Sequence, residues 1–359
     1  MTASVAVGLR ILDASVPAER EAWLSAWARC PGEEIMAHPD YVRLFARPGD
    51  KALAAVAETD RGGVLYPILL RPLAAEPWAE GERAWDLTNA YGYGGPFAWG
   101  VTPEEAEAFW DAFDAWATER GVATAFSRLS VFEDRLLPWR GERVLHGPVI
   151  VRALDLPEKE LLRDYVQKTA DQVRRYLRGG LEFDFDLDGR RLEEFMHLYG
   201  DTMDRRQASA FYRFPRSFFE ALARDLRGRF AVASVSLRGE VVSCDLMLFS
   251  KEEVWGFLLG TRADALALHV NEYMRHRTFL RCRELGRKRY VLGGGYRPGD
   301  GILHFKRTFA PRGEMPFHLA RRVYDAPAVE RLVARRAAWE RARGISWSPD
   351  PGFFPPYRA

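Results

Sequence analysis

The side chains that could do chemistry begin with Lys306, which follows Phe305 in the sequence HFKRT. The chain uses arginine for 46 of its 52 basic residues, so its general choice of basic residue does not account for this lysine. A lysine ammonium can stabilise an oxygen on which negative charge develops. Asp300 can bind an amine or accept its proton, although an Asp before Gly most often belongs to a turn. Lys306 and Asp300 are therefore our catalytic candidates, and the alternative for Lys306 is a surface lysine.

The sequence lacks the motifs of several enzyme classes. It contains no P-loop, no G-x-G-x-x-G fingerprint and no G-x-S-x-G elbow, which argues against kinases, dinucleotide dehydrogenases and serine hydrolases. His269, His276 and His304 do not stand at metal-ligand spacing with carboxylates, so we expect no metal site. Since no cysteine or serine nucleophile stands out either, we expect direct attack by the acceptor rather than a covalent intermediate.

Arginine is concentrated in the second half of the chain. Residues 1–150 carry 14 basic and 22 acidic side chains, whereas residues 151–359 carry 38 basic and 28 acidic ones. Arg275, Arg281, Arg283, Arg287 and Lys288 crowd one predicted helix and its end. Such a surface would meet the phosphates of an RNA, and a solvated helix face is the alternative. We expect no DNA partner.

Composition limits where the protein works and what kind of chain it is. With 47% hydrophobic and 13% aromatic residues, the chain can bury a core. The three cysteines, Cys30, Cys244 and Cys282, are far apart and odd in number, which argues against a disulfide framework. We find no apolar stretch that predicts a membrane span and no signal peptide at the first residues. We therefore expect a cytoplasmic protein.

The elements that would position these side chains follow one order twice. Each half predicts helices, a strand meander, a further helix and a strand, which indicates two related α/β domains, each a mixed central sheet flanked by helices. We place the domains at 1–150 and 151–325, with a C-terminal helix and tail at 326–359 that pack back on the first domain. The helical patterns cover residues 17–30, 103–121, 158–180, 190–206, 215–226, 269–286 and 328–343, and the strand patterns cover 52–73, 123–132, 181–189, 228–262 and 288–295.

Three segments of the second half together resemble a known family. They are DYVQKTADQVRRYLRGGLEF (164–183), YGDTMDRRQASAFYRFPRSFFEAL (199–222) and GRKRYVLGGGYRPGDGILHFKRTFAP (286–311). Their order resembles that of the Fem-type (FemABX) aminoacyl-tRNA-dependent peptidyltransferases and their acyltransferase relatives, which are built from two domains of the acetyltransferase fold called GNAT. The resemblance covers most of the chain, and the first half matches in outline.

This resemblance implies roles for several residues. Lys306 of the Phe305–Lys306 pair would lie where the acyl group is transferred, with Asp300 nearby. Arg205, Arg206 and Tyr212 would hold the acceptor substrate, and the two adjacent arginines leave the register open. Tyr91 and Tyr93 belong to the loop YGYGGP, which would line a substrate cleft or simply form a tight aromatic turn.

One departure concerns the donor. GNAT enzymes that use acetyl-CoA carry a glycine-containing loop whose amides hold the pyrophosphate, but the corresponding segment here, ADALALHVNEY (263–273), contains no glycine. The resemblance therefore implies an aminoacyl-tRNA donor, no bound cofactor, and an acceptor amine on a small molecule or a cell-wall peptide. Two alternatives remain: an acyl-CoA-dependent N-acyltransferase on the same fold, and a non-catalytic protein that binds RNA or a glycopeptide.

Overall fold

The computed structural model describes residues 8–295 and 300–359. They form two compact units: the first contains the residues up to His146 together with Phe317–Ala359, and the second contains Gly147–Pro316. The sequence placed the domain boundary at residue 150, which lies inside a strand, Glu142–Ala153. None of the described helices is long and apolar enough to cross a bilayer.

The first unit begins with six strands and three helices. The strands are β1 (Arg10–Asp13), β2 (Lys51–Glu58), β3 (Gly63–Pro72), β4 (Trp85–Thr88), β5 (Phe97–Trp99) and β6 (Val122–Arg128). The helices are α1 (Pro17–Arg29), α2 (Pro39–Leu44) and α3 (Pro103–Glu119). Helix α3 begins at a reciprocal cap between Thr102 and Glu105, which satisfies amide groups that a helix start leaves unpaired.

The described residues of the second unit form six strands and six α-helices. The strands are β7 (Glu142–Ala153), which enters it at Gly147, β8 (Glu182–Asp186), β9 (Phe230–Leu237), β10 (Glu240–Phe249), β11 (Glu253–Thr261) and β12 (Arg289–Gly293). The helices are α4 (Glu158–Asp164), α5 (Gln167–Leu177), α6 (Leu192–Arg205), α7 (Arg216–Asp225), α8 (Val270–Glu284) and α9 (Gly301–Arg307).

The chain then returns to the first unit through β13 (Glu314–Val323) and α10 (Ala326–Ala342). The helix packs on Trp78 and on Tyr357, whose ring is fully buried. Beside it, the Arg358 guanidinium pairs with the buried carboxylate of Asp86. The predicted C-terminal helix therefore does pack on the first unit, and its apolar face and the tail are what hold it there.

The two units repeat one sheet pattern. In the first, β1, β2, β3 and β4 are successively antiparallel, β4 is parallel to β6, and β6 is antiparallel to β13. In the second, β8, β9, β10 and β11 are antiparallel, β11 is parallel to β12, and β12 is antiparallel to β7. The predicted fold class of two tandem α/β domains is confirmed. The sheet pattern of the first unit takes its last strand, β13, from the far side of the second unit in the sequence, so no single cut in the sequence separates the units.

Within the second unit, helices cover both faces of the sheet. Helix α8 lies on the face where Met247, Phe249 and Tyr290 join the apolar core. Helix α6 lies on the opposite face, so close to β11 that a Cβ on Gly260 would stand 2.4 Å from the Tyr199 amide nitrogen. This contact between two backbones fixes the end of α6, and with it Arg205, beside β11.

Two glycines test this contact, because Gly260 of β11 faces the α6 backbone whereas Gly200, within α6, has open space beside it. Gly260→Ala forces a methyl group into the α6 backbone, and we expect it to cost about 1–3 kcal/mol of unfolding free energy. Gly200→Ala is the matched control, since a Cβ there meets nothing within 4 Å and alanine is the better helix former, by about 0.5–1 kcal/mol. Urea unfolding measures both changes, and equal stability of the two variants would contradict the close packing.

Candidate active site

The parallel strands β11 and β12 part soon after they meet. They pair at Val254 with Tyr290 and at Trp255 with Val291, but β11 continues to Thr261 while β12 pairs with β7 on its other side. Among the described strands, β11 beyond Trp255 thus has no partner on this side. An opening at the carboxyl ends of parallel strands is where α/β sheets bind ligands.

Lys306 lies where β12 ends. It belongs to α9, and its ammonium donates a hydrogen bond of 2.7 Å to the carbonyl of Gly294, the residue directly after β12. Burial, together with the nearby Arg275 cation, lowers the pKa of Lys306 to about 8, although Asp300 and Asp245 act in the opposite direction. A group with that pKa is mostly charged at neutral pH. The opening therefore has a cation at its edge.

The Asp300 carboxylate caps α9. It accepts a hydrogen bond of 2.8 Å from the Leu303 amide, and a Cβ on Gly295 would stand 2.7 Å from one of its oxygens. The carboxylate thus starts the helix that carries Lys306, and its action on an acceptor amine stays a prediction. Residues 296–299 of the predicted motif lie outside the described residues.

Phe305, predicted to bind substrate, packs against the apolar core of the second unit. Its ring meets Phe309 edge-on at 5.2 Å between centroids. Because it is partly buried there, its observed contacts seat α9 on the sheet. A contact with substrate is still only predicted for it.

Arg205 lies at the other strand of the opening. Its guanidinium donates to the carbonyl of Thr261, the last residue of β11, at 3.0 Å. The Thr202 hydroxyl accepts from the amide of Thr261 at 3.0 Å and donates to its carbonyl at 3.2 Å. Lys306 lies at the carboxyl end of β12 and Arg205 lies at the carboxyl end of β11. Because these two strands are parallel, both side chains lie at the same edge of the sheet.

The remaining acceptor candidates lie near Arg205. Arg206 is exposed at the end of α6. Tyr212 is half-buried, and its carbonyl accepts a hydrogen bond from the Tyr199 hydroxyl. Of the two adjacent arginines, the structure anchors Arg205 at the strand end, and a contact of either arginine with an acceptor stays a prediction.

Arg275 is in a different place from the one expected. It was grouped with the RNA-contacting cations, but it is only 7% exposed and pairs with Asp245 at 2.6 Å inside the second unit. The Tyr290 hydroxyl donates to the same carboxylate at 3.0 Å. A buried guanidinium cannot reach a phosphate at the surface, so Arg275 is removed from the RNA-binding set. Asp245 and Tyr290 were missed, although an aspartate inside the apolar run VVSCDLMLF was a signal.

The other predicted RNA-binding cations lie where β12 begins. Arg281 pairs with Glu284 at 2.8 Å, Lys288 pairs with Glu252, and Arg287 donates to the Ser250 carbonyl at 2.9 Å. Arg283 is exposed. Because a strand rises about 3.3 Å per residue, this group stands about 13 Å or more from the end of β12. Local ion pairs neutralise part of the positive charge of this group, as we would expect for a solvated helix face.

The tyrosine loop belongs to the first unit, at the equivalent parallel pair β4 and β6. There the Gly94 amide donates to the Arg128 carbonyl at 2.7 Å, and the Ser130 amide donates to the Gly94 carbonyl at 2.7 Å. Beyond the end of β4, the loop thus takes over the hydrogen bonding to the chain that continues from β6. Tyr91 and Tyr93 are half-buried, and Gly92, with φ of 109°, lies between them. These contacts form a tight aromatic turn, and a contact of either tyrosine with substrate remains predicted.

The start of α8 does not fit a CoA pyrophosphate. The glycine-free segment forms a short 3-10 helix, Ala263–Leu268, in which Ala265 is buried. In the first turn of α8, the Glu272 carboxylate lies 2.9 Å from the His269 ring. A carboxylate there occupies the positive end of the helix dipole, and the segment lacks the glycine that would let phosphate approach the backbone without a Cβ in the way. We therefore derive no step that uses CoA.

Nucleophiles and metal ligands are not assembled in the described part of the chain. Residues 8–295 and 300–359 hold no group of three or more His, Cys, Asp or Glu side chains placed to bind a metal ion. Cys30, Cys244 and Cys282 are unpaired and buried, and burial raises the pKa of the Cys30 and Cys244 thiols to about 12. A thiol that stays protonated is a poor nucleophile.

Comparison with known proteins agrees with this geometry. Residues 163–307 match the family model of the acetyltransferase (GNAT) domain. The sequence has no significant match among curated proteins.

Three solved structures share the fold at low sequence identity. FemX is 13% identical, with a TM-score of 0.65 over 87% of this chain and 97% of that chain. The C-terminal domain (DUF2156) of a putative lysylphosphatidylglycerol synthetase from Agrobacterium fabrum is 15% identical, with a TM-score of 0.52 over 91% and 98%. A tandem GNAT protein from the clavulanic acid biosynthesis pathway is 10% identical, with a TM-score of 0.50 over 88% and 99%. The chain therefore has a tandem GNAT-like fold, in which residues 163–307 match the acetyltransferase (GNAT) domain model.

Proposed function

We propose that this protein is an aminoacyltransferase that takes an aminoacyl group from tRNA and forms an amide on an amine acceptor. The observation that carries the proposal is the Lys306 ammonium, held by the Gly294 carbonyl at the end of β12, beside the unpaired edge of β11. The carboxylate of Glu272 at the start of α8 disfavours the pyrophosphate of a CoA donor. The likeness in fold to FemX and to a lysylphosphatidylglycerol synthetase domain supports an aminoacyl group.

The reaction needs few groups from the protein. The neutral amine of the acceptor attacks the carbonyl carbon of the aminoacyl ester, a C–N bond forms, and negative charge collects on the carbonyl oxygen. The Lys306 ammonium stabilises that charge. When the intermediate collapses, the C–O bond to the ribose breaks and the ribose oxygen gains the proton that the amine loses. Holding the two reactants together supplies much of the remaining acceleration.

Arg205 is our proposed anchor for the acceptor. Its guanidinium is fixed by Thr261 and Thr202 through one nitrogen, and the side chain is exposed. The remaining N–H groups of a guanidinium can bind a carboxylate or phosphate with two parallel bonds. We propose a small molecule or a peptide that bears such an anion and an amine.

The exposed cations at the start of β12 remain our proposed contacts to the tRNA. Their distance from Lys306 is compatible with this role, because a nucleic acid duplex carries phosphates along its whole axis. A stem lying along the second unit would meet Arg283 and its neighbours while its 3′ end reaches the opening. The proposal places the protein where charged tRNA occurs, in the cytoplasm.

Donor identity is the first test. We expect charged tRNA to label an amine acceptor in the presence of this protein, and RNase treatment of the tRNA to abolish the labelling. Acyl-CoA is the comparison donor, and CoA should give no protection against thermal unfolding. Labelling that survives RNase and requires acyl-CoA would show that the proposed donor is wrong.

Removal of the Lys306 ammonium tests the mechanism. We expect Lys306→Met to lower the single-turnover rate by about 10²-fold or more, as loss of an oxyanion donor does. Lys51→Met is the matched control, because Lys51 is an exposed lysine of the first unit. A near-normal rate in Lys306→Met would remove Lys306 from the mechanism.

The pH dependence follows from the pKa of Lys306, which is lowered to about 8. Below that pH the ammonium is charged and can stabilise the oxyanion; above it the charge is lost. We therefore expect kcat/KM to fall as pH rises through about 8. In Lys306→Arg the guanidinium stays charged, so whatever activity remains should lack this falling limb. If kcat/KM of Lys306→Arg still falls through about pH 8, the titration belongs to another group.

A further inference from the structure

A charged pair is buried behind the proposed transfer site. Asp245 of β10 is 2% exposed and Arg275 of α8 is 7% exposed. The Arg275 guanidinium donates to both oxygens of the carboxylate, at 2.6 and 3.4 Å. Neither side chain has a role in the mechanism above, so their presence in the interior needs a separate reason.

Tyr290 joins this pair from a third element. Its hydroxyl donates to the Asp245 carboxylate at 3.0 Å and accepts from Arg275, while the Arg275 guanidinium lies 5.1 Å from the centre of its ring. Tyr290 belongs to β12 and Asp245 to β10, so the bond between them crosses the intervening strand β11.

Gly256 makes that crossing possible. A Cβ on this residue of β11 would stand 3.1 Å from the Tyr290 ring and 3.2 Å from its hydroxyl, so any larger side chain would push the ring away. Gly256 is the first residue of β11 after its last pairing with β12. The polar cluster therefore spans β11 at the point where the opening begins.

Stability alone does not explain a buried ion pair. Removing two charges from water costs more than a well-packed apolar replacement, and such replacements are often neutral or stabilising. The pair lies within the apolar core of the second unit, where Tyr290 packs beside Phe279. An apolar trio at these positions would fill the same space, which points to a role for the charges themselves.

Lys306 is the group those charges act on. Tyr290 lies four positions before Gly294, whose carbonyl holds the Lys306 ammonium. Burial has the largest effect on the pKa of Lys306, and the charged groups that act on it are Arg275 from α8, Asp300 from the segment before α9 and Asp245 from β10. Arg275 opposes the positive charge on Lys306, and the two carboxylates favour it. Because the site is poorly hydrated, such interactions are only weakly screened.

We propose that Asp245 and Arg275 are positioning residues, whose buried ion pair, tied across β11 by Tyr290, sets the charge of the Lys306 ammonium without either side chain touching the substrate. This inference rests on the proposed function for its catalytic meaning. Its physical content concerns the ionisation of one lysine and can be measured without donor or acceptor.

Competitive labelling of the lysines tests it on the intact protein. The six lysines are modified with trace acetic anhydride across a pH series and quantified by peptide mass spectrometry, which gives each amine a labelling midpoint. We expect a midpoint near pH 8 for Lys306 in the unmodified protein. Lys51, an exposed lysine of the first unit, is the internal control and should keep its midpoint in every variant.

The two charges predict opposite effects. Arg275→Gln removes a like charge and should raise the midpoint of Lys306 by about one pH unit, whereas Asp245→Asn removes an opposite charge and should lower it by a similar amount. Arg275→Lys keeps the positive charge and should leave the midpoint near its starting value. If both charge-removing variants leave the midpoint unchanged, or move it the same way, the proposal is wrong.

Misfolding would be visible in the same data. If Asp245→Asn unfolds, Lys306 will label like Lys51, and the comparison of Arg275→Gln with Arg275→Lys decides instead. The proposal is supported if the Lys306 midpoint is higher in Arg275→Gln than in Arg275→Lys. Equal midpoints in these two variants overturn it. If no tRNA-dependent transfer is found but the midpoints move as expected, the proposed function fails and the electrostatic inference stands.

Discussion

The separation of β11 from β12 is the constraint on which the site depends. Parallel strands share hydrogen bonds only while they run side by side, and here β12 keeps its pairing with β7 while β11 runs on. The unpaired edge of β11 and the end of β12 then face one opening. Lys306 and Arg205, which we propose to act on the reactants, are each held at one of these two strand ends.

The first unit shows what happens when the same opening is closed. Its parallel strands β4 and β6 have the equivalent order, but the glycine-rich loop after β4 hydrogen-bonds to the end of β6 through Gly94. Because glycine there allows the backbone to approach closely, with a Cβ on Gly94 only 2.7 Å from the Asn89 side chain, the gap is filled by main chain. One sheet pattern thus yields a closed end in the first unit and, among the residues that the structure describes, an open one in the second.

Charge is placed in the second unit in two different ways. At the start of β12, Arg281 and Lys288 pair locally at the surface, where ion pairs are screened by water and contribute little. Behind the opening, Asp245 and Arg275 pair away from water. Electrostatic interactions there are only weakly screened, so each charge acts over a longer distance. Similar residue types therefore have different consequences, and burial is the variable that separates them.

Much of the fold could be predicted from the sequence. Periodicity located the long helices, as 103–121 illustrates for α3, and the doubled order of elements indicated two tandem domains. Strands β7 and β13 escaped prediction because their burial pattern is irregular. In addition, β7 pairs with β12 and β13 pairs with β6, strands that are far away in the sequence. No local sequence pattern indicates such a pairing.

For the site, the sequence by itself determined which residue types were available: one lysine after Phe305, two adjacent arginines and a segment without glycine before α8. Only the tertiary structure decided their surroundings. It buried Arg275 against Asp245, anchored Arg205 rather than Arg206 at a strand end, and laid Tyr290 across Gly256. These outcomes depend on which strands are neighbours and how closely backbones approach, and such distances are set by packing among segments far apart in the chain.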